Sequence, residues 1–246
     1  MSKIEVGDIF TTNQGYKLTV VDYNKSNDIK VSFNNGCKKK VTAQQLRQGK
    51  VKNPYHACVR GVGFIGEGEW KSKQNGKMTP AYKSWNSMIK RAYDPDYHAG
   101  RPTYTNVSVC EKWHNFQNFA EWFYKQPNAG RKGFDLDKDL MVPGNKEYNP
   151  HACSFVPRAI NSLLCDCRAA RSNLPAGVDK CGKKYVAKLT VQCKVIYLGV
   201  HSTPNEAYQA YKKAKEKNIK CMANKYKDVL DPKIYKNLID LEINNI

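Results

Sequence analysis

Acidic side chains are scarce in this chain: 22 Asp and Glu stand against 41 Lys and Arg in 246 residues, a formal net charge of +19. That imbalance argues against a cationic partner and for a polyanion. No apolar run is long enough to span a bilayer, and none reads as the core of a secretory signal. A basic amphipathic helix with a broad apolar face is also missing, which argues against a membrane surface. The nine cysteines (37, 58, 110, 153, 165, 167, 181, 193 and 221) are scattered and odd in number. No C-x-x-C pair is present, and Cys165-Asp166-Cys167 comes nearest. Neither a disulfide framework nor structural zinc is expected, and reduced thiols in a cytosol fit best.

The positive charge is spread unevenly. Residues 1–60 carry +7, 61–176 carry +5, 177–227 carry +9 and 228–246 carry −2. Both flanking parts are more basic per residue than the middle, as expected if they grip a polyanion around a more acidic centre. The length allows one to three domains.

The first part reads as short strands. IEVGDIFTT, GYKLTVVDY and DIKVSFN carry β-branched and aromatic residues, with Asn- and Gly-rich turns between them. A small β-barrel over residues 1–60 is the expected product. Lys38, Lys39 and Lys40 fall on its closing strand, either as phosphate contacts or as a solvated edge that blocks strand pairing. From Thr79 the spacing predicts a helix, with Pro80 at its first position and Tyr82, Trp85, Met88, Ile89 and Ala92 recurring at helical intervals. A second helix is predicted over 115–124. Its Phe116, Phe119, Trp122 and Phe123 are read as core before base-stacking rings.

The segment from Leu136 to Asn161 reads as strand, polar loop, strand and helix start. A first strand over 134–140 would set Asp135, Asp137 and Asp139 on one face, where three carboxylates repel unless a cation sits among them. The chain turns through Pro143-Gly144-Asn145 and Asn149-Pro150, returns through Cys153 to Val156 and starts a helix at Pro157. Carboxylate and amide oxygens suit a hard cation such as Mg²⁺ or Mn²⁺.

This segment resembles the ββα-metal core of the HNH endonucleases, most closely their phage homing branch. Asp137 matches the motif Asp, Phe155-Val156 the aromatic-Val pair, and Asn161 the helix Asn that completes the metal site. The resemblance implies metal ligands Asp137 and Asn161, with Asp139 beside them, and one cation per monomer. Lys138 stands where the family has its catalytic His. A lysine accepts no proton from water near neutral pH unless burial or neighbouring cations depress it strongly, so His151 in the facing loop, or water made acidic by the cation, are the alternatives. The wording of residues 82–123 also resembles the segment that precedes the hairpin in many phage proteins of this type.

Residues 177–215 read as three strands and a helix capped by Thr203, with Pro204 and Glu206 in its first turn. The pattern resembles the DNA-binding domain of plant ethylene-response factors, through Gly177-Val178, Tyr185, Ala187, Leu189, Tyr197-Leu198-Gly199, Thr203 and Glu206-Ala207. In that family the sheet lies in the major groove. Tyr185, Ala187 and Leu189 would face the helix, leaving Lys184, Val186, Lys188 and Thr190 outward, joined across the hairpin by Lys194 and Tyr197. Lys188, Thr190 and Tyr197 would read base edges, and Lys180, Lys183, Lys184 and Lys194 would meet phosphates. Plant members carry several arginines here and this chain none, so guanine reading by a bidentate fork is lost.

Together these readings give an α+β protein: a β-barrel at 1–60, an HNH-like ββα-metal domain at 61–172 and an ethylene-response-factor type domain at 173–246. The function they imply is Mg²⁺- or Mn²⁺-dependent nicking of duplex DNA by a monomer in the cytoplasm of a phage-infected bacterium. The alternatives are a non-catalytic DNA-binding protein on a degenerate HNH scaffold and an RNA-binding protein, the latter fitting a major-groove sheet poorly.

Overall fold

Short antiparallel sheets and amphipathic helices alternate along the chain in a mixed α+β fold. The computed structural model describes residues 3–164, 174–191 and 194–243. Cys165, Cys167, Cys193 and the boundary expected at 172/173 lie outside the described residues. No helix among the described residues is long and apolar enough to cross a membrane. Two compact units divide the chain, Met1–Glu121 and Trp122–Ile246.

In the first unit, β1 (Ile9–Thr11), β2 (Lys17–Lys25), β3 (Asp28–Phe33) and β4 (Lys38–Val41) form one antiparallel sheet in sequence order. Alternation buries Leu18, Val20, Ile29, Val31, Phe33 and Val41 on one face. Helix α1 (Ala43–Arg47), held by a capping box between Thr42 and Gln45, adds Ala43 and Leu46 to that core. The expected barrel is not closed: β1 and β4 are the two edges of the sheet and do not pair, and four strands are few to close around a packed interior.

A two-stranded ribbon follows, β5 (Lys73–Gln74) and β6 (Lys77–Met78), turning through Asn75 and Gly76 at φ 50° and 74°. Thr79 then caps α2 (Pro80–Tyr93): its hydroxyl accepts the Tyr82 N–H and donates to the Lys71 carbonyl. Trp85, Met88, Ile89 and Ala92 are buried as their spacing predicts, and the Trp85 indole N–H donates to the Trp113 carbonyl at 2.7 Å. After α3 (Pro95–Ala99) and β7 (Ser108–Val109), α4 (Phe116–Lys125) begins, and Phe116 packs on Trp85 and Phe119 on Trp113. These rings are core, not base platforms.

In the second unit, Trp122 and Phe123 pack on Phe155, with ring centroids 5.9 and 5.2 Å apart. The unit continues as β8 (Phe134–Asp137), β9 (Glu147–Tyr148), β10 (Ser154–Pro157), α5 (Arg158–Asn161), β11 (Val178–Cys181), β12 (Lys184–Val191), β13 (Lys194–His201), α6 (Pro204–Lys225) and α7 (Pro232–Ile239). Thr203 caps α6, and Glu206 accepts the Ser202 N–H. One 22-residue helix serves two cores. Its first turns place Ala207, Tyr208, Ala210 and Tyr211 against the three-stranded sheet β11–β12–β13. Its last turns bury Ile219, Met222 and Ala223 with Val156 and Ile160 of the ββα hairpin and Ile234 and Leu238 of α7.

Gly177 shows how tightly the first of these cores closes. At φ 70°, a Cβ there would lie 2.0 Å from Cδ2 of Tyr211, so both the backbone and the ring require glycine. Gly177→Ala should destabilise this unit by roughly 1–3 kcal/mol, the range for strained or overpacked sites. Urea titration checks it; an unchanged midpoint would mean that Tyr211 moves aside freely.

Candidate metal hairpin and three-stranded sheet

The hairpin follows from its sequence with one correction. β8 and β10 pair antiparallel, with Asp137 opposite Ser154, Leu136 opposite Phe155 and Asp135 opposite Val156. β8 stops at Asp137, so Asp139 does not continue its face. The Asp137 carboxylate accepts the N–H groups of Asp139 (3.2 Å) and Leu140 (2.8 Å), and this local bonding draws the chain out of the strand into a turn. Asp135 is engaged elsewhere: Arg158, the first residue of α5, clasps it through Nε at 2.9 Å and one terminal nitrogen at 3.1 Å. That pair fastens the helix start to the first strand. Sequence reasoning did not foresee it, although an Asp on β8 near an Arg that follows the partner strand was a usable signal.

Asp137 is 7% exposed. Burial, with the hydrogen bond and negative charge of Asp139 next to it, pushes its carboxyl up to about 7, against the two backbone N–H groups that favour ionisation. For Asp139 burial again opposes the charge. It is outweighed by the hydrogen bond with Asp137 and the Lys138 ammonium, which hold Asp139 below the usual carboxylate range. The two neighbouring acids are thus displaced in opposite directions.

Lys138 is as buried as Asp137, and its ammonium is committed. Nζ donates to Asp139 Oδ2 and to the Asn145 carbonyl, both at 3.1 Å, and lies 6.0 Å from the centre of the Tyr148 ring. Asn145 returns the grip, its Nδ2 donating to the Lys138 and Glu147 carbonyls. Asn149 organises the far side of the loop, accepting the N–H groups of His151 and Ala152 and donating to Glu147. The polar loop is thus a bonded structure in which Lys138 is a strut. His151 is exposed on it. Asn161, half-buried, ends α5, which packs on β8 and β10. Among the described residues no three His, Cys, Asp or Glu side chains gather as a metal cluster.

The sheet β11–β12–β13 keeps the expected inner row, with Ala187 and Leu189 buried and Tyr185 packed beside them. Lys184 and Thr190 are exposed on the outer row, and Lys188 stands opposite Tyr197 there, its Nζ 5.4 Å from the ring centre. Two lysines fall on the other row. Lys194 pairs with Val191 and Lys180 with Tyr185, so alternation turns both to the helix side, exposed near strand ends. Lys194 therefore does not join Tyr197 on the outer face. Asp179 was also missed: it binds Lys188 at 2.7 Å and neutralises the best-placed cation of the face.

In the first unit the lysine run occupies an edge strand, as a pairing-blocking charge run would. Lys40 pairs with Asp28 at 3.0 Å, Lys39 donates to the Lys52 carbonyl and Lys38 is exposed.

No family model, curated protein or solved structure matches this chain. Its function has to be argued from the geometry above.

Proposed function

We propose that this chain is a duplex-DNA-binding endonuclease of the HNH homing type that nicks one strand with Mg²⁺ or Mn²⁺. The observation that carries the proposal is the buried Asp137 at the end of the first strand of a ββα unit. Burial and the neighbouring Asp139 carboxylate disfavour its charge, and the groups that favour that charge are two backbone N–H groups. A hard divalent ion fits that deficit better than a proton does. Asp137 and Asn161 would hold the ion, with Asp139 alongside, and it would supply Lewis acidity toward one phosphate.

The chain's own residues do the rest. Asn145 and Lys138 keep the loop in one shape, and Arg158 with Asp135 fixes the helix against the strand. Lys138, buried between an acid and a carbonyl, is poorly disposed to take a proton from water. The exposed His151 is the better acceptor, since imidazole works near neutral pH. His151→Ala should lower the nicking rate by about a hundredfold or more, the usual loss of a general base, with DNA affinity unchanged. An unaltered rate would remove His151 from the reaction. The basic sheet and the exposed lysines of the first unit would hold the duplex.

Supercoiled plasmid incubated with protein and Mg²⁺ or Mn²⁺ tests the whole reading, with open circles as the expected product. A second reading, a DNA-binding protein without catalysis, is favoured by one observation: the lysine at the family's histidine position is committed to holding the loop. Failure to cleave DNA that the protein binds would establish that second reading.

A further inference from the structure

The outer face of the sheet β11–β12–β13 is unlike a lysine-rich phosphate clamp. Along β13, Val195, Tyr197 and Val200 are 54%, 71% and 61% exposed, an apolar row open to solvent. The pairing register sets Val195 opposite Thr190, Tyr197 opposite Lys188 and Val200 opposite Val186, so all six side chains share one face. Asp179, opposite Val186 on β11, holds the Lys188 ammonium. Water-exposed apolar rows of this kind mark contact surfaces. The charge around this one says what it contacts: residues 178–201 hold five lysines against one acid, and of these Lys183 and Lys184 lie exposed beside the face.

We infer that this face recognises thymine, through the C5-methyl groups that A·T pairs present in the major groove, with Val195, Val200 and Thr190 as the residues that set specificity. The inference rests on the duplex-DNA reading above. The groove edge of a G·C pair offers acceptors and an amino group but no methyl, and it is read best by an arginine fork. This segment has no arginine, and Lys188 is neutralised by Asp179. An apolar face over guanine edges would leave their acceptors without donors, whereas over thymine it buries a methyl against a methyl. The positive rim brings the backbone close, and the valines then select the base.

The experiment uses the full chain. Binding sites are selected from a random duplex pool, and the selected duplex is compared with the same sequence carrying deoxyuridine for every thymidine, which removes the methyl groups and leaves every hydrogen-bonding group in place. The selected sites should be rich in thymine, and each contacted methyl that is lost should weaken binding about fourfold, roughly sixtyfold for three. The double variant Val195→Ala with Val200→Ala, at exposed positions, should bind the two duplexes with nearly equal affinity while keeping an unchanged thermal midpoint. Equal affinity of the wild-type protein for both duplexes overturns the inference and leaves DNA binding standing. No binding to either duplex withdraws the DNA reading itself. Sedimentation showing a dimer whose contact surface covers Val195 and Val200 assigns the row to a second copy of this chain and also overturns the inference.

Discussion

Asp137→Asn should abolish metal-dependent nicking, by about a thousandfold or more, while duplex affinity changes little. The size follows from losing an anionic ligand to an ion that stabilises developing charge by several kcal/mol, each 1.36 kcal/mol being about tenfold in rate. Asparagine is the informative substitution because its amide oxygen can still accept the N–H groups of Asp139 and Leu140, so the turn survives and only the charge is lost. Gel-based nicking rates and filter binding measured together separate the outcomes. An equal fall in affinity and rate would make Asp137 structural, and full activity would remove the metal hairpin from the proposal.

The same carboxyl gives a stability signature with a definite sign. Its folded value of about 7 lies above the ordinary carboxylate value near 3.8 expected of the unfolded chain. Between those values the folded protein holds a proton that the unfolded chain releases, so stability falls as pH rises from about 4 to about 7 and levels off above that. Asp139 is displaced the other way, and its contribution is lost only as pH falls below the ordinary carboxylate range. Asp137→Asn should flatten the slope between pH 4 and 7, and Mg²⁺ should flatten it too, because an ion that displaces the proton removes the difference in bound protons between the folded and unfolded chain. Chemical denaturation across that interval reads both effects.

Duplex binding should weaken steeply with salt. If Lys183 and Lys184, exposed beside the outer face, each neutralise one phosphate, the logarithm of the binding constant falls with a slope of about −1.8 against the logarithm of salt, a loss of roughly 12-fold between 50 and 200 mM. A slope near −3.6, roughly 150-fold, would mean that two further lysines reach the duplex, such as Lys38 or the strand-end Lys180 and Lys194 on the helix side. Lys40 and Lys188 add less, since Asp28 and Asp179 already compensate them. Fluorescence anisotropy at several salt concentrations measures the slope. A flat profile would leave the net charge of the chain without a polyanionic partner.

Local rules account for much of what was legible in the sequence. Thr79-Pro80 and Thr203-Pro204 start helices because a hydroxyl acceptor and a residue lacking an N–H solve the same end problem wherever they occur. The pairing of Phe134–Asp137 with Ser154–Pro157 and the burial of Ala187 and Leu189 followed from period-two alternation, which needs no knowledge of distant residues. What failed depended on competition or on partners far along the chain. The strand expected to reach Leu140 ends at Asp137 because a side chain outbids the sheet for two N–H groups. The sheet stays open because its edge strands β1 and β4 do not pair, and Lys194 falls on the helix side because the pairing register, not its own position, decides its face.

The sequence by itself determined the basic character of this protein, its α+β elements and the order of strand, loop, strand and helix around Asp137, all properties of composition and short-range pattern. Only the tertiary structure decided which charges remain available for a partner. Asp135 is spent on Arg158, Lys188 on Asp179 and Lys138 on Asp139 and Asn145, while Asp137 is left buried beside a second acid. Whether a charge is compensated depends on distances of about 3 Å between residues separated by up to 23 positions in the chain, and those distances exist only once the chain has folded.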